Sequence, residues 1–137
     1  VSTTVLASAT EQSRACYPDA QGYVQREGVG IFYEVYGDAK RTILLLPTWS
    51  IIHSRCWKLQ IPYLARHFRV VAFDGRGNGK SDRPADPQAY AEQRFADDAL
   101  AVLDATGTGR AVLVSFSRGI ERAMLLAAGH PERVAGM

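Results

Sequence analysis

The tightest constraint on this chain is the junction between two patterns near its C-terminal end. Ala111, Val112, Leu113 and Val114 form a compact apolar run, the mark of a strand buried on both faces. Ile120, Met124, Leu125 and Ala128 then recur at helical spacing, with only Ser115-Phe116-Ser117-Arg118-Gly119 to make the connection. A strand that passes almost directly into a helix must turn sharply, so the residue at the apex is held in a strained backbone conformation. Small residues two before and two after the apex keep the neighbouring backbone clear of it. Ser117 is that apex, and Ser115 and Gly119 are the small flanks. The pattern is G-x-S-x-G with Ser115 in place of the first glycine. Such a turn lifts the apical hydroxyl clear of the sheet, and the helix N-terminus behind it favours a developing negative charge. A serine between strand and helix also serves as an ordinary N-cap. The pentapeptide alone leaves both roles open.

The 137 residues suffice for one domain with a real core, and 47% of them are hydrophobic, as in ordinary globular chains. No apolar run approaches the roughly 20 residues of a membrane span, so no membrane association is expected. The net charge of +2 comes from basic residues scattered among acids, which argues against a nucleic-acid partner. Cys16 and Cys56 lie far apart and form neither a disulfide framework nor a metal motif, which makes a reducing cytoplasm the default. No metal is expected. Ala7-Ser8-Ala9 mimics a signal-peptidase site, but a basic n-region and an apolar core are lacking.

Residues 1–21 are rich in Ser, Thr and Ala without periodicity and are expected to be a flexible leader before a domain over 22–137. Tyr23 to Arg26 and Ile31 to Tyr36 alternate around Glu27-Gly28-Val29-Gly30, which predicts a hairpin. Thr42 to Leu46 and Arg69 to Phe73 read as buried strands. Between them Trp57, Ile61, Leu64, Ala65 and Phe68 recur at helical spacing, with a kink or fresh start expected at Pro62. A glycine-rich loop runs from Gly75 to Pro84, followed by an amphipathic helix over Tyr90–Ala105 ended by Gly107. Strands alternating with helices imply an α/β fold with a mostly parallel sheet and an antiparallel hairpin at one edge.

The glycine loop is not a nucleotide site. Gly79-Lys80-Ser81 resembles the end of a phosphate-binding G-x-x-x-x-G-K-S, but the first position of that frame is Asp74 and no helix opens at the lysine. Nor does a helix open on its glycines, as a dinucleotide fingerprint requires. No cofactor is expected, and Asp74, Arg76 and Ser81 are read as ties within the loop.

Taken in order, these elements resemble the N-terminal half of an α/β-hydrolase, from about Gly28 to the end. The stretch from Phe73 to Asp82 (FDGRGNGKSD) is similar to that family's D-x-R-G-x-G-x-S, and His130-Pro131-Glu132-Arg133-Val134 is similar to the segment that follows its elbow helix. The resemblance implies Ser117 as nucleophile of a serine hydrolase cleaving carboxylic esters. It also implies an oxyanion hole built from the backbone N–H groups of Trp49 and Arg118. Pro47-Thr48-Trp49-Ser50 stands where the family usually has His-Gly-x. His53, beside that turn, is a candidate substrate-site residue. His67 and His130 are accounted for by helix C-terminal ends, and Cys56 beside Trp57 is expected in the core.

A serine needs a general base oriented by a carboxylate, and in this family the acid and histidine follow the serine on later loops. After Ser117 the chain offers only Glu121, His130 and Glu132, and Glu121 and His130 are expected to point away from the strand ends. Two functions therefore stay open: the front portion of a small-molecule ester hydrolase whose triad is completed by a missing C-terminal half, or a truncated, non-catalytic binding module. Taken alone, such a chain is expected to be a poor catalyst and to form homodimers by edge pairing, or aggregates.

Overall fold

A computed structural model of the chain describes residues 15–137; most of the expected leader, residues 1–14, lies outside them. The described chain opens with a hairpin of β1 (Ala20–Arg26) and β2 (Val29–Tyr36). Glu27 and Gly28 make its two-residue loop, both at positive φ (52° and 77°), the turn whose twist matches that of paired strands. β1 starts inside the expected leader because Asp19 anchors it: its N–H donates to Val35 O (2.9 Å), and its carboxylate accepts from Gly37 N (2.6 Å).

β3 (Thr42–Leu45), β4 (Arg69–Phe73) and β5 (Ala111–Val114) fall on the apolar runs, and β6 (Val134–Gly136) follows the last helix. The sheet order is β1-β2-β4-β3-β5-β6. β3, β4, β5 and β6 run parallel, and the β1–β2 hairpin joins antiparallel through the β2–β4 pairing. This is the expected α/β architecture with the hairpin at one edge.

Side-chain alternation divides the core in two. Leu44, Leu46, Val71, Phe73 and Leu113 face α2 (Glu92–Ala105) and α3 (Gly119–Gly129), meeting Ala99, Val102, Leu103, Ala123 and Leu126. Ile43, Leu45, Val70 and Ala72 face the other way, onto Trp57 and Ile61. Trp57 closes a short 3-10 turn (Ser54–Trp57), and Ile61 sits in α1 (Gln60–Leu64). Pro62 is the third residue of α1, inside the first turn, where a missing N–H leaves no intrahelical bond unmade. That is the fresh start its position suggested. Cys56, expected in the core, is exposed: neighbours on a tight 3-10 turn face different directions, and Trp57 takes the inward one. Another 3-10 turn (Pro87–Tyr90) precedes α2, so the helix begins two residues later than its apolar spacing suggested.

The glycine loop is organised by the buried Asp74 carboxylate. Its Oδ1 accepts from Ser54 N and its Oδ2 from Lys80 N, both at 2.8 Å. Ser81 Oγ donates to Asp74 O (2.7 Å) and accepts from Phe32 N (2.9 Å). Asp74 and Ser81 thus serve as the expected ties. Arg76 reaches beyond the loop instead, donating through Nε and Nη2 to both oxygens of Asp98 on α2 (2.7 and 2.6 Å). Both side chains are almost fully buried, and burial pushes the Asp98 carboxyl above its ordinary value against the pull of Arg76.

Gly79 has φ +52°, and a Cβ there would overlap the Asp74 carboxylate. Gly79→Ala is therefore expected to combine left-handed strain with disruption of the carboxylate bonds, costing about 2 kcal/mol or more. The measurement is the urea midpoint against the parent protein; a shift worth under about 0.5 kcal/mol would show that the loop does not depend on this packing.

Candidate active site

The parallel strands β3, β4 and β5 deliver three loops to one edge of the sheet, residues 46–53, 74–86 and 115–118. The first and last are locked together as they leave the sheet, where Leu46 N donates to Val114 O (3.0 Å). A Cβ on Gly119 would lie 3.0 Å from Pro47 O and 3.3 Å from Ser115 Cβ. A side chain at Gly119 would crowd both the β3 turn and Ser115, so a small residue two after the apex is sterically favoured, as the sequence pattern implied. The second loop joins them through Asn78 Nδ2, which donates to Trp49 O (3.4 Å).

Ser117 occupies the apex with φ 55°; among the described residues the only other non-glycine at positive φ is Glu27. It is exposed, while Ser115 is half-buried. α3 begins at Gly119 with Arg118 as its N-cap and no capping side chain, so the Ser117 hydroxyl is not used as an N-cap. That hydroxyl has no hydrogen-bond partner among the described residues, and neither do the N–H groups of Trp49 and Arg118. Phe116, between the two serines, stacks edge-on against Trp57 (centroids 5.3 Å apart) and leaves 45% of its surface exposed. Trp49 is 53% exposed at the same edge. Ser117 also lines an open groove of about 720 Å³ with Arg118, Ile120, Glu121, Met124 and Leu125. Glu121, expected to point away, borders the same groove as Ser117, without a hydrogen bond between them.

The histidines fall elsewhere. His53 caps the Ser54–Trp57 turn, its Nδ1 accepting from Arg55 N (3.2 Å). It lines a recess of about 260 Å³ with Ile51, Ile52, Arg55, Cys56 and Lys58 that does not include Ser117. His67 stands edge-on to Tyr63 near the end of α1, and His130 ends α3 with its Nδ1 3.5 Å from Glu132. Among the described residues no histidine hydrogen-bonds Ser117, and no cluster of His, Cys, Asp and Glu is disposed to hold a metal ion.

Sequence reasoning missed the ion-pair group behind the elbow. Glu92, at the start of α2, accepts from Arg118 Nη2 through Oε1 and from Arg122 Nε through Oε2 (2.7 Å). Arg122 is 1% exposed; its Nη1 donates to Pro47 O (3.0 Å), and its guanidinium lies 3.8 Å from the centre of the Phe95 ring. The only local signal was two arginines four apart at the start of α3. Their partner is 26 and 30 residues away, beyond any pattern read along the chain.

Burial raises the Glu92 carboxyl, but the hydrogen bond and charge of Arg122, then those of Arg118, outweigh it and hold the group below 4.5. A carboxyl depressed by folding adds stability above its unfolded pKa and loses it as pH falls through the folded value. The melting-temperature gap between the parent protein and Glu92→Gln is therefore expected to be full at pH 6 and to narrow steadily below pH 4.5. A gap independent of pH would remove the charge contribution. At the apex, Ser117→Gly is expected to be more stable than Ser117→Ala by about 1 kcal/mol in urea unfolding, because only glycine relieves the left-handed backbone; equal stabilities would mean that the apex carries no strain.

Matches with known proteins agree with this geometry. The family model described as alpha/beta hydrolase fold matches residues 41–137. RutD of Caulobacter segnis, which carries a provisional carbamate hydrolase name, is 35% identical over 107 residues, 77% of this chain and 40% of that protein. The 2-hydroxymuconate semialdehyde hydrolase of Pseudomonas sp. strain CF600 is 47% identical over 78 residues, 57% of this chain and 27% of its own. Among solved structures, Est816, described as an N-acyl homoserine lactone degrading enzyme, superposes with a TM-score of 0.76 at 39% identity, covering 82% of this chain and 42% of that one. The chain thus spans about two fifths of the length of the first of these relatives and of Est816. With the family model covering residues 41–137 and the strand-to-helix elbow at Ser117 in place, the chain belongs to the alpha/beta hydrolase fold family.

Proposed function

We propose that this chain carries the nucleophile and oxyanion half of a serine hydrolase that cleaves carboxylic esters of small molecules. The observation that carries this reading is Ser117 itself: exposed, at φ 55°, with a side-chain hydroxyl that caps nothing and has no hydrogen-bond partner among the described residues. A strained residue with an idle hydroxyl at the mouth of a sheet is a cost to the fold, and such strain concentrates at functional sites. The N–H groups of Trp49 and Arg118, both without acceptors among the described residues, supply the complementary electrophilic site. Losing one such donor typically costs about 2.7–4 kcal/mol of transition-state stabilisation.

In the proposed reaction Ser117 Oγ attacks the ester carbonyl as its proton passes to a histidine base. The oxyanion rests on the two amides, the C–O bond breaks, and the alcohol leaves with the proton. Water then attacks the acyl-serine as the same base takes its proton, the acyl–Oγ bond breaks, the carboxylic acid leaves and the proton returns to Ser117 Oγ. The histidine and its carboxylate partner are assigned to chain outside the described residues, since the full-length relatives are more than twice as long as their match to this chain. Est816, described as degrading N-acyl homoserine lactones, acts on molecules that contain a cyclic ester, which fits an ester carbonyl as the electrophile.

A non-catalytic binding module remains the second reading. The observation favouring it is that no described histidine hydrogen-bonds Ser117.

Fluorophosphonate labelling of the full-length protein, with peptide mapping, separates the two. The adduct is expected on Ser117 and not Ser115. Ser117→Ala is expected to abolish labelling and to lower turnover of p-nitrophenyl esters by about 10³-fold or more. Unlabelled full-length protein, or turnover that survives Ser117→Ala, would leave the binding module as the better account.

A further inference from the structure

We infer that Arg122 is a positioning residue for the oxyanion site, tying the turn that carries the Trp49 amide to the helix that carries the Arg118 amide. The inference rests on the serine hydrolase reading above and deepens it. The two proposed donors belong to different strand ends, Trp49 after β3 and Arg118 after β5. For both to meet one oxygen, their loops must hold a fixed separation. The backbone bond between Leu46 and Val114 sets that separation at the sheet, but residues 47–50 beyond it have left the ladder.

Arg122 spans this gap. It sits one helical turn beyond Arg118 on α3, and its Nη1 donates to the carbonyl of Pro47, two residues before Trp49. Its Nε is held in turn by Glu92 Oε2 (2.7 Å) on α2, and Glu92 Oε1 takes the Arg118 side chain. Each donor segment is therefore gripped by one of two arginines that share a single carboxylate. The Phe95 ring under the guanidinium fixes its plane.

Folding alone does not call for this arrangement. Arg122 is 1% exposed, and its Nη2 is buried without a partner among the described residues. Taking a guanidinium out of water with one nitrogen unsatisfied is unfavourable, and an apolar side chain of similar length would fill the space over Phe95 without that penalty. The pair is better explained by the carbonyl it holds than by the stability it adds. A hydrogen bond on Pro47 O orients the chain entering the turn and so aims the Trp49 amide. A lysine, with a single nitrogen and no rigid fork, reproduces one bond but not both with their fixed angle.

The test uses the full-length protein with Arg122→Met, which keeps the stem, Arg122→Lys, which keeps the charge, and Ser117→Ala. Two quantities are read: kcat and KM for a p-nitrophenyl ester per folded molecule, and amide hydrogen exchange of the peptide containing Thr48 and Trp49. Arg122→Met is expected to lower kcat about tenfold or more with KM within twofold, because a misaimed donor costs the transition state and not the bound ester. It is also expected to speed exchange at Thr48–Trp49, with Arg122→Lys intermediate in both. Unchanged kcat overturns the inference even if the melting temperature falls, since that pattern is a purely structural role. A rise in KM alone overturns it too, and so does unchanged exchange at Thr48–Trp49. If the parent's turnover survives Ser117→Ala, or the parent has none, the serine hydrolase reading fails by itself, and the exchange measurement still decides whether Arg122 holds the turn.

Discussion

The site depends on a contact that leaves no room for a side chain. Where α3 begins, the backbone at Gly119 passes so close to the β3 turn that a Cβ would sit 3.0 Å from Pro47 O. That approach lets β5 turn into α3 within four residues, and it puts Ser117 at φ 55° above the sheet. Neighbouring parallel strands make the approach possible, because the β3–β5 ladder delivers both loops to the same edge in fixed register.

A second constraint is electrostatic and comes from α2. Its inward face carries two carboxylates, Glu92 in the first turn and Asp98 further along, each bound to arginine from another element. Asp98 fixes the glycine loop after β4 through Arg76, and Glu92 fixes the elbow and the β3 turn through Arg118 and Arg122. One helix thus braces all three loops that leave this edge of the sheet. Buried ion pairs add little net stability, since desolvation offsets most of the attraction. What they add is direction: a planar guanidinium clamped at two nitrogens allows the attached loop few alternatives.

Much of this was legible in the sequence because it is written in local patterns. Apolar runs placed β3, β4 and β5 to within a residue, and the spacing of Phe95, Ala99, Val102 and Leu103 gave α2. The apex serine followed from the absence of loop residues between strand and helix. Cys56 was misplaced because proximity to a buried tryptophan says nothing of direction on a 3-10 turn. Arg76 was assigned to its own loop because charge pairing has no periodicity, and Asp98, 22 residues on, is no more visible from Arg76 than any other acid. Glu92 and Arg122 were missed for the same reason. Backbone geometry is encoded by neighbours along the chain, whereas the groups that brace it are encoded by neighbours in space.

The same geometry explains why a base for Ser117 is not found beside it. The elbow leaves Ser117 exposed, while the side chains of α3 lean back toward its N-terminus along the helix surface. Glu121 therefore borders the Ser117 groove without bonding the hydroxyl, and His130, at the far end of α3, is about three turns away. In the proposed hydrolase the imidazole facing Ser117 belongs to an element other than the helices that lie against the sheet faces. The hydroxyl and the two amides can share one edge because a single backbone turn and one neighbouring strand supply all three. In the proposed hydrolase the proton acceptor has a different origin, in a part of the chain separate from the turn that carries Ser117.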